Sequence, residues 1–499
     1  MRTKMNFFFT ILLILASGSV QAADRSLEIF LRNFHQDPDK MINLLPPQII
    51  DGQVVYRGFL NDETLNRQLI EEKSALREEV VSKAQFSITP LTHMGNEDNP
   101  STLVDNGVVI TNIFELDKRG LMKAKLPHEL WSDTYWPIYK GLLAFRYADG
   151  IAESTDWAAN YGNYLMNGVS TDALSPAEKY DLLVGDSSMT LTNYSWNVGR
   201  RYYEQHGRVP TWMGICHGWS AATHMEAKIP YGSIVLKSPN GTPIRFFQSD
   251  VKGLNSMLWG KASPPTKFLG FRCDHTPPRD GQGRVVDDNC YDTNPATFYL
   301  TLANQLGMNN RSFVMDATFD SEVWNFSVIS YKATYFNPQT FKQTDNLKQA
   351  VTPIGQYTID KFKQHRAPGT AFVVGVTMDV TYMNENSPSH KVQTKPATKT
   401  QRYVSDLELD ANYNVIGGEW YSRAHPDFIW SYAPGTQAYA PGDADINADE
   451  WVITDPVPST WTAAAQKSSS SGAPLYSVIK KIVESAPTRE MYEASGEIE

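Results

Sequence analysis

Three cysteines in 499 residues are too few for a fold stapled by disulfides. Beyond the N-terminus no run of about 20 apolar residues exists, so no membrane-spanning helix is expected. Basic residues are outnumbered, 45 Lys and Arg against 55 Asp and Glu. With a net charge of -10 and no long basic tract, a nucleic-acid partner is excluded as an expectation. What is present is material for a core. The chain is 41% hydrophobic and 12% aromatic, as expected of a folded protein of two or three domains.

The one strongly apolar stretch is short. Arg2 and Lys4 precede the apolar run 7–16, and Val20 and Ala22 take the small-residue spacing of a cleavage site. Residues 1–23 therefore predict a secretory signal peptide, and the mature chain is expected outside the cell or in a periplasm. Export gives the cysteines meaning, because an oxidising compartment pairs them. Cys273 and Cys290 share one Gly/Pro-containing loop and are the expected disulfide. Cys216 is left over, and an unpaired thiol in an exported chain is a candidate reactive group.

Its surroundings favour that reading. In the stretch 210–227, P-T-W-M-G-I-C-H-G-W-S-A-A-T-H-M-E-A, Gly214 and Gly218 flank the cysteine and mostly good helix formers follow it. The thiol is placed at a helix N-terminus, where the dipole and unpaired N–H groups favour a thiolate and could hold an oxyanion. The alternative is an inert buried cysteine beside a core helix.

A cysteine nucleophile needs a base and a group to orient it. His217 is adjacent and would point elsewhere, His224 lies two turns away, and His275 falls in the disulfide loop. His425 follows a strand hairpin, with Asp427 two residues on and Trp420, Phe428 and Trp430 around it. Helix cysteine followed by strand histidine is the chain order of papain-like catalysis. His425 is the candidate base and Asp427 the candidate orienting group, with Asp316, Asn325 and Glu419 as rivals. An aromatic-packed surface histidine is the competing reading. Trp212, Trp219, Trp324 and Trp420 are candidate groove walls, with core packing as their alternative.

Along the chain, residues 24–95 are charged and helix-rich, with helical periodicity at 69–81. The run G-V-V-I-T-N-I-F at 107–114 predicts a strand. Ser175-Pro176 predicts a helix start, residues 234–247 a hairpin, and 294–306 a helix. Residues 311–318 and 371–383 predict strands, and 403–420 a second hairpin. The run K-S-S-S-S-G at 467–472 predicts a linker and 476–485 an amphipathic helix. Helices first and antiparallel strands later indicate an α+β fold. The expected division is signal peptide 1–23, helical region or pro-segment 24–95, catalytic region 96–435 and C-terminal extension 436–499.

Several segments together resemble one family. The cysteine stretch, S-P-A-E-K-Y, T-Y-W-P-I-Y, F-F-Q-S-D-V-K, N-P-A-T-F-Y-L-T-L-A-N-Q-L-G and G-G-E-W-Y-S-R-A-H-P-D-F-I-W resemble the transglutaminase elicitor family of oomycetes and marine bacteria. The segment 323–332, V-W-N-F-S-V-I-S-Y-K, is similar to the short peptide that plants recognise in the oomycete members, departing from it at Phe326 and Ser327. The resemblance spans roughly 120–435. It implies a secreted protein-glutamine γ-glutamyltransferase with a papain-like cysteine-enzyme core. It places the nucleophile at Cys216 and the histidine at His425. It also implies protein substrates carrying Gln and Lys, a divalent metal such as calcium or manganese, and no organic cofactor. A papain-like peptidase or amidase, and a non-catalytic secreted recognition protein, are the competing functions. For the metal, Asp443, Asp445, Asn447 and Asp449 are spaced like the start of a calcium loop, although Ala448 and Thr454 stand where Gly and Glu are expected. An acidic solvated turn explains the same spacing.

Overall fold

The structure, a computed structural model, describes residues 25–42, 44–50, 53–55, 98–226, 228–271, 278, 290–317 and 322–495. The expected signal peptide, the periodic run 69–81, Cys273 and His275 lie outside the described residues.

Helices dominate the first half. Residues 25–36 form α1. There follow α2 (Pro176–Leu183), α3 (Thr190–His206), α4 (Cys216–Met225), α5 (Gln248–Ala262) and α6 (Pro295–Thr301); near the C-terminus come α7 (Thr462–Ser469) and α8 (Tyr476–Ser485). The main strands are β1 (Thr266–Gly270), β2 (Val314–Asp316), β3 (Asn325–Phe336), β4 (Phe372–Met383), β5 (Thr398–Leu409), β6 (Val415–Trp420) and β7 (Phe428–Tyr432). They lie in the order β6-β5-β4-β3-β2-β7-β1, every neighbouring pair antiparallel. The mixture of helices and antiparallel sheet agrees with the α+β expectation.

Local signals explain several elements. Ser175 accepts from the Glu178 N–H while the Glu178 carboxylate accepts from the Ser175 N–H, a reciprocal cap that starts α2 with Pro176 in its first turn. The expected hairpin forms as strands Ile234–Lys237 and Pro243–Phe246. In α1, Leu27, Phe30, Leu31 and Phe34 follow helical spacing and are buried against Phe336, Phe341, Val404 and Tyr421. This seats α1 at the end of β3 opposite to Asn325.

Two expectations are corrected. Residues 107–114 are not a strand: Asn112 makes one isolated bridge to Asn414, and its side chain accepts from the Glu115 N–H, capping the helix Ile113–Lys118. The capping geometry overrides the β-branched residues before it. Nor is K-S-S-S-S-G a linker. Ser468 and Ser469 are buried in the last turn of α7, and the Ser468 hydroxyl accepts from the Gly442 N–H at 2.7 Å. The helix expected at 294–306 starts on time and continues beyond Thr301 as a π-helix, Leu302–Met308.

Candidate active site

The cysteine helix is fixed on three sides before the thiol is considered. Against α5, Gly218 comes so close that a Cβ there would lie 2.1 Å from the Ser256 carbonyl oxygen. At its start, the Ile215 N–H donates to the Tyr135 carbonyl at 2.7 Å, and a Cβ on Gly214 would lie 2.3 Å from the same oxygen. Both glycines therefore serve close approach of backbone to backbone. Against β3, the Ser220 hydroxyl donates to the Asn325 carbonyl and the Ser327 hydroxyl donates to the Ser220 carbonyl at 2.7 Å. These two bonds place the start of α4 over the start of β3.

Cys216 is the first residue of α4 and is buried. Its Sγ lies 3.7 Å from the Val323 carbonyl and 3.7 Å from the Asn325 amide nitrogen Nδ2. The amide is held in that orientation from behind, where the Trp430 indole N–H donates to Asn325 Oδ1 at 2.7 Å. Trp324, between the two contacts, meets the Tyr135 ring edge-on at 5.0 Å. Its backbone N–H donates to the Asp316 carboxylate at 2.9 Å, and its indole N–H to Glu322 at 3.0 Å.

The expected thiolate does not form in this resting arrangement. Burial pushes the Cys216 thiol up to about 11, and the charges of Glu385 and Asp316 act in the same direction, against the Asn325 hydrogen bonds. Desolvation outweighs the hydrogen bonds from Asn325.

His425 is not joined to Cys216. Its ring stacks on Trp420 at 5.0 Å and 10°. Its Nδ1 is 3.4 Å from the Pro426 carbonyl, and the carboxylate 4.0 Å from its Nε2 is that of Asp292. Burial lowers its pKa to about 4. Asp427 accepts through its backbone carbonyl from the Thr293 N–H and hydroxyl, at 2.9 and 3.2 Å. A flat aromatic neighbour and a turn carbonyl fix the ring where sequence spacing suggested a free base. His217 is no substitute: its Nε2 is 3.2 Å from the Gly260 carbonyl on α5, and its pKa is also lowered to about 4.

Of the four tryptophans, Trp324 alone is carried to the thiol by adjacent contacts. Trp219 is buried and donates to the Trp131 carbonyl at 3.1 Å. Trp420 donates to the Thr293 carbonyl at 2.9 Å, and Trp212 is half-buried against the main core.

The acidic turn does not assemble a cation site. Asp443 accepts three backbone N–H bonds, from Ala440, Tyr476 and Ser477. Asp445 pairs with Lys467 at 2.6 Å, and Asn447 accepts from the Asp449 N–H at 3.2 Å. Among the described residues no group of three or more His, Cys, Asp or Glu could hold a metal ion. The four named residues do not fit calcium or manganese as a shared site.

Sequence reasoning weighed Asn325 only as an orienting group for a histidine. It did not find Glu385. Glu385 lies in the connection 384–397 between β4 and β5, a turn-like N-E-N-S-P-S-H run at the end of the longest predicted strand. That placement was the available signal.

Residues 107–439 match the family described as transglutaminase elicitor. The crystal structure of the GP42 transglutaminase from Phytophthora sojae is similar to 79% of this chain and 98% of that one, at 19% identity and a TM-score of 0.49. No curated protein matches the sequence.

Proposed function

Since this chain belongs to the transglutaminase elicitor family, we propose that it is a secreted protein-glutamine γ-glutamyltransferase that joins glutamine and lysine side chains through a Cys216 thioester. The observation that carries the reading is the free thiol at the start of α4, facing the Asn325 amide.

The Cys216 sulfur attacks the side-chain carboxamide of a protein glutamine. The thiol proton passes to the leaving nitrogen, ammonia departs and the γ-glutamyl thioester remains. Because the resting thiol is protonated, this transfer accompanies the attack rather than preceding it. The Asn325 N–H groups, aimed by Trp430, donate to the oxyanion of the tetrahedral intermediate. A lysine amine then displaces the sulfur and forms the isopeptide bond. His425, stacked on Trp420, has no step in this sequence unless its ring swings out. No step passes through a metal.

The same proposal includes a signal peptide at 1–23, a helical region at 24–95, a papain-like catalytic region at 96–435 and a C-terminal extension at 436–499. It also includes a Cys273–Cys290 disulfide. A second reading, a recognition protein without catalysis, is favoured by one observation: burial holds the thiol toward its neutral form, and among the described residues no histidine is bonded to it. Incubation with a glutamine-bearing protein and a fluorescent primary amine separates the readings. Covalent amine incorporation supports the transferase, backbone cleavage a peptidase, and neither the recognition protein.

A further inference from the structure

Glu385 is a half-buried acid whose charge acts on the thiol and that no step above uses. The connection carrying it is tied down on both sides. The Asn384 N–H donates to the Ala397 carbonyl at 2.8 Å, and the Asn386 N–H to the Asp133 carbonyl at 2.9 Å. Farther along, the Gln393 N–H donates to the Gln248 side chain at 2.7 Å, and the Ser389 N–H to the Ser249 hydroxyl at 2.9 Å. Both acceptors belong to α5, the helix that supports the cysteine helix. The carboxylate is therefore positioned by four backbone bonds rather than by its own.

Its own bonding is incomplete. The Tyr135 N–H donates to it. The other oxygen, Oε1, is buried and has no hydrogen-bond partner among the described residues. A buried carboxylate oxygen without a donor is a disfavoured arrangement in a resting protein. Tyr135 is also the bridge to the thiol, because its carbonyl accepts from the Ile215 N–H, one residue before Cys216. The two sites feel each other: the Glu385 charge is among the causes that raise Cys216. The cations within the same cluster are already engaged. Lys252 donates to the Ser132 carbonyl and the Gln393 side chain, and its charge acts on Asp133. Burial, with Asp133 adding to it, pushes the Glu385 carboxyl up to about 7, so it can both carry charge and accept a proton near neutrality.

We infer that Glu385 is the acyl-acceptor site of the enzyme: its Oε1 receives the primary ammonium of an incoming lysine side chain beside Cys216 and takes one of its protons. The inference rests on the transferase reading above. Tyr135 and Trp324 supply aromatic faces for the alkyl chain and the ammonium. The ammonium gives one proton to the carboxylate, and the free amine attacks the thioester carbonyl. The carbon–sulfur bond breaks as the amide forms, and the departing sulfur takes the second proton. Thioester, ammonium and carboxylate become amide, thiol and carboxylic acid, and the acid returns its proton to solvent.

The test uses Glu385→Gln in the full chain, with a glutamine-bearing protein and two acceptors. One is a fluorescent alkylamine, charged at neutral pH. The other is hydroxylamine, which is largely uncharged there and needs neither the ion pair nor the deprotonation. The first-turnover burst of ammonia, measured at high enzyme concentration without acceptor, reports thioester formation independently of the acceptor. The variant is expected to give that ammonia burst within a few-fold of wild type and to transfer hydroxylamine normally. Alkylamine incorporation is expected to fall roughly 10- to 100-fold, the loss of one charge-assisted bond. Unchanged alkylamine transfer, or an equal fall with both acceptors, overturns the acceptor site alone. No ammonia from the wild type overturns the transferase reading and the acceptor site with it. If Glu385→Gln does not fold, Glu385→Asp carries the test, with the same selective loss expected for the alkylamine.

Discussion

Cys216 and His425 occupy pockets of similar make. Cys216 is buried and His425 nearly so, Trp324 stands between the two residues that the thiol meets and Trp420 lies under the imidazole, and each group is pushed away from neutral titration by desolvation, the thiol up to about 11 and the imidazole down to about 4. They differ in what their polar atoms meet. The sulfur faces a side-chain amide whose orientation is fixed from behind by Trp430. The imidazole lies flat on Trp420 and faces the carbonyl of the next residue. An aromatic surround and a titratable residue are common to a packed site and a reactive one. The oriented polar partner tells them apart.

The largest expected effect lies on the thiol side. Cys216→Ser should abolish amine incorporation, because a hydroxyl is a far weaker nucleophile at nearly the same volume. Its thermal unfolding midpoint should stay within a few degrees of wild type. Cross-linking near the wild-type rate would end the comparison, since Cys216 would then be as inert as His425.

The amide comes next. Asn325→Ala should lower the rate of ammonia release by about 10²- to 10³-fold, the range for removing one oxyanion donor. Trp430→Phe keeps the ring and removes the N–H that holds the amide, so a smaller loss, about tenfold, is expected. If Asn325→Ala is as active as wild type, orientation by a polar partner is not what distinguishes the two pockets.

Elements with their own start signals were legible in the sequence. Ser175, Pro176 and Glu178 announce α2, and the turn after Leu409 announces the β5–β6 hairpin. The cysteine at the head of α4 was legible for the same reason, since Gly214 and Gly218 bracket it. What was not legible depends on the sheet. Asn325 meets Trp430 because β3 pairs with β2 and β2 with β7, a path of 105 residues in sequence. Glu385 reaches the site because α5 pins the β4–β5 connection. Residues 107–114 failed differently. Their β-branched composition was visible, but the decisive contact was the Asn112 cap, two residues beyond the apolar centre at 108–110. Spacing between Cys216 and His425 carried chain order and no distance.

The imidazole side gives a smaller effect. His425→Ala should keep amine incorporation within about threefold, because no bond connects the ring to the sulfur. A loss as complete as that of Cys216→Ser would restore His425 as the base. Stability should report the residue instead. Its folded pKa of about 4 lies below the ordinary 6.5, so the folded state binds the proton less readily than the unfolded state. The contribution is present above pH 6.5 and is lost as pH falls through 4. Between those values the unfolding midpoint of wild type should therefore drop more steeply than that of His425→Ala.

The smallest effect is expected at the acidic turn, where the same contrast recurs between two aspartates. Asp443 is a structural acceptor: its carboxylate receives the Ala440, Tyr476 and Ser477 N–H groups at 2.8, 2.9 and 2.9 Å, two of them at the start of α8. The helix has Leu475 at its cap position, which offers no side-chain acceptor, so Asp443 supplies the cap from outside the element. Asp443→Ala should destabilise the chain by about 1–2 kcal/mol. Asp445 holds an exposed ion pair with Lys467 at 2.6 Å, about half of each side chain being open to solvent. Such pairs contribute roughly 0–1 kcal/mol. Asp445→Asn should therefore leave the unfolding midpoint nearly unchanged. It should also leave amine incorporation unchanged whether calcium is added or chelated, because Asp443, Asp445 and Asp449 do not converge on a cation. A calcium response that Asp445→Asn removes would mean that the turn rearranges around the ion. Asp443 would then have to give up its helix cap to join it, and the unfolding midpoint of wild type would shift with calcium.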